Sequence, residues 1–243
     1  MLKRLAFIVA CCFFAHGYSQ DYADQVPQLK RYAPQEVIDP MYGIHLYDEL
    51  IFPLGGDSVR YDKKGYNVQG WVEDYYTDGS VLHKGFYIDG QLRVFKNYYP
   101  NGKIERSFRV IDTKRCDLVV YYQDGQLKSE VFYFNQGAQK QTDYYPNGTV
   151  EYVEENEKEM QYLYKRNEFF ENGLPEKVFE IIDKKKKLYV KKEFYPSGKI
   201  KEEGGMKFHF DMNDYAKEGD WTYYDESGNI IKKEKYTNGH ISD

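Results

Sequence analysis

The sequence lacks the residue patterns on which most enzyme and metal sites depend. Its 243 residues include only 3 cysteines and 5 histidines, and none of them form the Cys-x-x-Cys or His-x-x-x-His spacing of a zinc site. There is no Gly-x-Ser-x-Gly nucleophile elbow, no phosphate-binding loop and no Asp-rich calcium loop. We therefore expect no metal, no cofactor and no catalytic residue, and we predict that the protein is not an enzyme.

Long apolar runs are also scarce. The longest, Leu5–Ala15, is too short to span a membrane and follows the basic residues Lys3 and Arg4. With the small residues that lead to Ser19, this arrangement is typical of a secretory signal. We predict a signal peptide over residues 1–19 and export to the periplasm or out of the cell.

Two alternatives concern the cysteines. Residues 8–11 resemble a lipobox, in which Cys11 would carry a lipid; ordinary cleavage after Ser19 fits the leader better. That cleavage leaves Cys116 as the only cysteine, which excludes an intrachain disulfide. We interpret Cys116 as a small apolar core residue.

Neither positive nor negative charge is in large excess. The chain has 34 basic and 39 acidic residues, which gives a net charge of −5. Such a balance excludes a bulk electrostatic grip on nucleic acid. We interpret the one dense basic run, Lys184–Lys187, as a solvated turn that protects a sheet edge from pairing.

The sequence is rich in tyrosine, with 26 residues, and many of them lie in a repeated motif. Each copy has two aromatic residues, two or three turn-forming residues and a glycine. The copies end at Gly79, Gly90, Gly102, Gly125, Gly148, Gly173, Gly198 and Gly228. From Gly102 to Gly198, successive glycines of the motif are 23 or 25 residues apart, which is enough for two strands and two turns. Because a single hairpin cannot bury its own face, this repeat predicts a stack of hairpins.

Between the turns, side chains alternate with the period of a strand. Asn-Gly and Asp-Gly pairs favour the positive φ of two-residue hairpin turns. We interpret residues 151–166, the strongest helical alternative, as two strands joined by a polar turn. The predicted fold is all-β, an elongated repeat of antiparallel β-hairpins in a single-layer twisted sheet. One example of the alternation places Ile104, Arg106, Phe108 and Val110 on one face and Lys103, Glu105, Ser107 and Arg109 on the other.

The repeat divides the chain into three parts. After the signal peptide, residues 20–59 lack the repeat and are rich in proline, which predicts an extended segment and a cap for the first hairpin. Residues 60–243 form the predicted repeat domain. Its one conspicuous irregularity, Gly204–Met212, predicts a longer hairpin or a loop for recognition.

Two stretches, Gly70–Gly79 and Glu218–Gly228, combine a glycine, a tryptophan, paired tyrosines and a final glycine. In this they resemble the MORN repeat (membrane occupation and recognition nexus) in its bacterial variant, over roughly residues 60–243. Bacterial chains of this kind are often grouped with YwqK-like antitoxin components of toxin–antitoxin modules. The resemblance implies stacked β-hairpins and a binding or scaffolding role.

Because tyrosine gives a large contact area at low entropic cost, we expect these aromatic residues to form a binding surface. The leading hypothesis is an exported scaffold that binds an unknown protein partner in the cell envelope. The alternatives are binding of cell-wall glycan or of a membrane surface, and neutralisation of an exported toxin. The candidate surface residues are Trp71, Tyr75, Tyr98, Tyr121, Tyr144, His209, Trp221 and Tyr223.

Overall fold

The computed structural model describes residues 31–44 and 59–242. The signal peptide predicted over residues 1–19 and the lipobox alternative at Cys11 lie outside these residues. The boundary predicted near residue 60 stays a prediction.

One open sheet of 16 strands runs through the described residues, with the strands in chain order. Every neighbouring pair is antiparallel except the first, in which two residues of the N-terminal segment pair in parallel with the first repeat strand. This confirms the predicted all-β fold of antiparallel hairpins. The strands are β1 (Arg31–Tyr32), β4 (Gly70–Tyr76), β5 (Val81–Ile88), β6 (Gln91–Tyr98), β7 (Ile104–Val110), β8 (Arg115–Tyr121), β9 (Leu127–Phe134), β10 (Gly137–Tyr144), β11 (Val150–Asn156), β12 (Leu163–Phe169), β13 (Pro175–Asp183), β14 (Leu188–Phe194), β15 (Ile200–His209), β16 (Asp214–Tyr224), β17 (Ile230–Thr237) and β18 (His240–Ile241).

The N-terminal segment, residues 31–44, packs against the start of the sheet. After β1 it forms the short helix α1 (Pro34–Val37) and a two-stranded pair, β2 (Ile38–Asp39) and β3 (Gly43–Ile44). Val37 and Ile44 are buried against Tyr76 and Leu82 of the first hairpin. The apolar residues of this segment therefore cover side chains that the repeat cannot bury alone.

The two ends of the hairpins carry different turns. In the turn that follows the paired tyrosines, only the glycine has positive φ, for example Gly79 at 90°. The Gly79 amide donates to the Tyr76 carbonyl, which makes a three-residue loop with a glycine bulge. The prediction of two-residue turns is therefore wrong at this end. At the other end it is confirmed for the Asp-Gly turn of residues 89–90, with φ of 51° and 75°, and for the Asn-Gly turn of residues 238–239, with φ of 49° and 82°. Some turns that lack such a pair, for example that between β7 and β8, are longer.

A bulge next to each tyrosine turn changes which side chains are buried. In β7, Arg106 pairs with Asn97 while Ile104 pairs with Tyr98, so Glu105 is an extra residue in its strand. The alternation predicted Glu105 on the polar face, but its exposed fraction is 0%. The bulge turns its side chain towards the buried side, where both oxygens accept hydrogen bonds from Arg106.

The sheet has a front face, which carries Phe95 and Phe108, and a back face, which carries Trp71. Since cross-strand partners share a face, the register assigns each residue to one of the two. Phe95 and Phe108 stack at 5.4 Å between ring centroids, and Cys116 joins them with an exposed fraction of 0%. Cys116 is thus the small core residue that the sequence predicted.

In five copies the second residue of the aromatic pair joins one hairpin to the next. Its hydroxyl donates to the carbonyl of the residue that ends the first strand of the next hairpin, at 2.6–3.0 Å, and these five hydrogen bonds form a tyrosine ladder. Burial, followed by the charge of Glu105, raises the pKa of Tyr99 to about 12, so its hydroxyl keeps its proton over a wide pH range. The donors are Tyr76, Tyr99, Tyr122, Tyr145 and Tyr195, and the acceptors are Tyr98, Tyr121, Tyr144, Phe169 and Tyr224.

Substitution of Tyr99 by phenylalanine should lower the free energy of unfolding by about 1 kcal/mol, because the Tyr121 carbonyl loses its donor. The matched control is Tyr98→Phe, since Tyr98 contributes its backbone carbonyl to the ladder. Urea unfolding of both variants measures the difference. Equal losses would show that the hydroxyl of Tyr99 adds nothing to the joining of hairpins.

Candidate binding groove

A groove with a cavity volume of about 880 Å³ lies on the front face at the tyrosine-turn end. Its lining comes from successive elements between β7 and β13, and from the N-terminal segment. With strands about 4.8 Å apart, six inter-strand steps give the groove a length of roughly 29 Å. The repeat therefore creates a long, shallow site rather than a pocket for a small molecule.

Aromatic rings recur along the groove with the period of the repeat. Tyr122 and Tyr145 directly follow β8 and β10, and Tyr152 lies on the next strand, β11. Phe169 ends β12 in the position of Tyr144, on the back face, and its carbonyl accepts a hydrogen bond from Tyr145. All four are half-buried. The hydroxyls of Tyr122 and Tyr145 belong to the ladder, which fixes their rings at the edge of the sheet. The groove thus has rigid aromatic walls at intervals of one hairpin.

Charged side chains alternate with the rings. The bulge positions of β9, β11 and β13 are Lys128, Glu151 and Glu176, and all three line the groove. Among the described residues, Glu151 and Glu176 are in no salt bridge. Burial, followed by the charges of Glu151 and Glu176, raises the pKa of Tyr145. The carboxylates therefore act on the same space as the ring.

The remaining carboxylates of the groove are held in place. Asp143 accepts hydrogen bonds from Ser129 at 2.5 Å and from Gln141 at 2.7 Å. Glu168 forms an ion pair with Lys177 at 2.5 Å. Of these two carboxylates only Glu168 is in an ion pair, so in the described part of the chain Asp143 adds its negative charge to that of the two bulge glutamates.

The N-terminal segment forms one wall of the groove. The carbonyl of Tyr42 accepts a hydrogen bond from Arg106 at 2.9 Å, and the carbonyl of Met41 accepts one from Lys128 at 3.4 Å. The side chains of Met41 and Tyr42 remain exposed. This wall adds apolar surface beside the charged floor.

The structure does not bring the eight sequence-predicted surface residues together. Tyr75, Tyr98, Tyr121 and Tyr144 form a row on the back face, away from the groove. In that row the hydroxyl of Tyr75 donates to Glu73 at 2.6 Å and that of Tyr144 to Glu130 at 3.0 Å. The residues that line the groove were missed by the sequence analysis, although the same repeat period could have found them.

The two tryptophans differ. Trp71 has an exposed fraction of 60% on the back face, and its ring lies 5.4 Å from that of Phe86. Trp221 has an exposed fraction of 0% on the front face, so the prediction that it belongs to an exposed surface is wrong. Its cross-strand partner is Gly204, where a Cβ would lie 2.2 Å from the indole. The glycine leaves the space that the ring fills.

Tyr223 and His209 also lie apart from the predicted row. Tyr223 lies on the front face and accepts a hydrogen bond from Lys217 at 2.8 Å. His209 ends β15, and its Nε2 is buried without a hydrogen bond. The irregular stretch Gly204–Met212 lies in the longer hairpin of β15 and β16, in which Phe208 is buried. Part of this stretch therefore serves packing.

Another histidine, His83, belongs to a buried polar network. Arg60 donates to the hydroxyl of Tyr87, which donates to Nε2 of His83, and Nδ1 donates to Asn97. Arg60 also pairs with Asp74 at 2.7 Å. Burial chiefly lowers the pKa of His83 to about 4. The imidazole is therefore neutral at neutral pH.

This burial predicts a loss of stability in weak acid. The unfolded chain takes up a proton on His83 near pH 6.5, whereas the folded chain does so only near pH 4. Stability from this group is therefore full above pH 6.5 and declines by about 3 kcal/mol as the pH falls to 4. Urea unfolding of His83→Gln should show a shallower loss over this range, and His240→Gln, at an exposed position, should not. An unchanged slope in His83→Gln would contradict this assignment.

Among residues 31–44 and 59–242, no group of three or more histidine, cysteine, aspartate or glutamate side chains is placed to hold a metal ion. Within the same ranges, no helix is long and apolar enough to cross a membrane.

Comparisons with known proteins support the repeat. Residues 94–108, 118–135, 190–207 and 217–238 match the family model of the MORN repeat variant. Each match falls on one hairpin with a tyrosine-type turn, and the last includes the second of the two tryptophan stretches. No curated protein matches the chain. A solved structure titled "Crystal Structure of TarM" is similar at 12% identity and a TM-score of 0.26, over 45% of this chain and 19% of that one.

Proposed function

We propose that this chain is a non-enzymatic, exported repeat scaffold that binds another protein in the cell envelope. MORN repeats are generally modules for interaction with proteins or membranes. The observation that carries the proposal is the groove on the front face, with aromatic walls and free carboxylates repeated along its length. The basic and apolar leader, residues 3–15, supports export.

Affinity capture of the mature chain from its native cell envelope, with quantitative mass spectrometry, tests this function. We expect one stoichiometric protein that is retained by the wild type and reduced by the double variant Glu151→Gln/Glu176→Gln. A matched control, Glu159→Gln/Glu226→Gln, makes the same change in charge at exposed turns outside the groove. A toxin as the partner would select the antitoxin function. Recovery of wall fragments or lipid without protein would contradict the scaffold.

Glycan binding is a second candidate because of Trp71. Its exposed indole is a flat apolar ring of the kind on which sugars stack, and Phe86 is inclined beside it at 60°. Retention on insoluble wall material, competed by soluble sugars and lost in Trp71→Ala, would support it. Retention unchanged in Trp71→Ala would exclude this residue as the contact.

A further inference from the structure

We propose that the groove binds a polyproline II segment of a partner protein that carries two basic residues three positions apart. The inference rests on the proposed function, since it specifies the ligand of the same groove. It is carried by the spacing of the groove's rings and carboxylates together with their charge.

The period of the groove agrees with that of a polyproline II helix. Equivalent positions in the groove are two strands apart, which is about 9.6 Å across a sheet. A polyproline II helix has three residues per turn and a rise of about 3.1 Å, so its side chains repeat every 9.3 Å or so along one face. An extended β-strand repeats one face at about 6.7 Å and would lose register after one hairpin.

The aromatic walls of the groove suit the same kind of segment. Polyproline II segments dock between aromatic side chains, because a preformed helix loses little entropy on binding. Tyr122 and Tyr145 supply such rings one repeat apart, with Tyr152 on the strand that follows Tyr145. The ladder hydrogen bonds hold Tyr122 and Tyr145, so the site is preorganised.

The carboxylates of the groove favour basic residues in the ligand. Glu151 and Glu176 occupy equivalent bulge positions and are without a salt bridge in the described part of the chain. Two lysines or arginines three residues apart would face both carboxylates at once. Lys128, at the preceding bulge position, disfavours a third basic residue in the same row.

Fluorescence anisotropy tests the proposal with a labelled octapeptide. In this peptide, two lysines stand three positions apart in a run of proline. We expect saturable binding that weakens with salt. Glu151→Gln/Glu176→Gln should weaken it by about five- to thirtyfold, as for two partly exposed ion pairs, and Glu159→Gln/Glu226→Gln should not. Equal binding of a peptide with glutamate in place of lysine, or with glycine in place of proline, would overturn the proposal.

A variant that is expected to bind more tightly separates an effect on the groove from a loss of binding caused by misfolding. Lys128→Glu would complete a row of three carboxylates, so it should tighten binding of a peptide with a third lysine three positions further on. The two-lysine peptide should bind this variant about as well as the wild type. If the three-lysine peptide binds Lys128→Glu no more tightly than the wild type, the proposed alignment of the peptide with the bulge positions is wrong. If an envelope protein is captured through the groove but neither peptide binds, the polyproline II ligand is wrong. The proposed function as a protein-binding scaffold is then still supported.

Discussion

Substitution of Arg106 by methionine should lower the free energy of unfolding by about 3–5 kcal/mol, which is among the largest effects expected of a single change in this chain. The carboxylate of Glu105 has an exposed fraction of 0% and accepts hydrogen bonds from the Arg106 guanidinium at 2.7–2.9 Å. Methionine fills similar space but removes the guanidinium and its hydrogen bonds from a buried carboxylate. The cost is that of breaking a buried ion pair by removal of one partner.

The same strand provides the control. Arg109 pairs with Asp117 at 2.7 Å, but the exposed fractions of these side chains are 64% and 33%. Arg109→Met should therefore cost less than about 1 kcal/mol, since solvent screens an exposed pair. Urea unfolding at neutral pH compares the two variants. Similar losses would mean that the Glu105 carboxylate gains solvent when its partner is removed.

The repeat period was enough to predict the all-β fold, because each hairpin of this length needs a neighbour to cover its face. The side on which a residue lies was harder to predict. Each bulge adds one residue to a strand, and the overall period hides it since every repeat has one. Glu105 was thus placed on the wrong side of β7.

Burial of Glu105 has a second cause that no repeat pattern contains. Ile44 of the N-terminal segment is itself buried, and its amide lies 3.4 Å from the Glu105 carboxylate. Contacts between residues 61 positions apart are set by tertiary packing, which local alternation cannot report. The groove was missed for a related reason. Its carboxylates are unremarkable one by one, and only the shared bulge position aligns Glu151 with Glu176.

The paired tyrosines were recognised, but their division of roles was not. Alternation places the two members of a pair on opposite faces and gives no sign of which one is structural. In the structure the second member donates to the next hairpin, so the first member remains for the back face. In the last copy the aromatic pair stands one residue earlier relative to the turn. Tyr224, not Tyr223, therefore occupies the position of Tyr75.

Substitution of Trp221 by alanine should lower the free energy of unfolding by about 3–5 kcal/mol, the range for large aromatic residues in a core. The indole is fully buried, its Nε1 donates to the Gly205 carbonyl at 2.9 Å, and Lys217 lies 3.9 Å from the ring centroid. Alanine opens a cavity above Gly204, which has no side chain to fill it.

Trp71→Ala is the matched control, because it removes the other tryptophan of the chain from an exposed position. It should cost no more than about 1 kcal/mol. The one-residue shift in the last copy explains the contrast: Trp221 stands three residues before Tyr224, whereas Trp71 stands four before Tyr75, so the two rings fall on opposite faces. Thermal and urea unfolding of both variants decide the point. If Trp71→Ala is as destabilising as Trp221→Ala, the back face is packed rather than open, and the glycan alternative loses the exposed ring on which it depends.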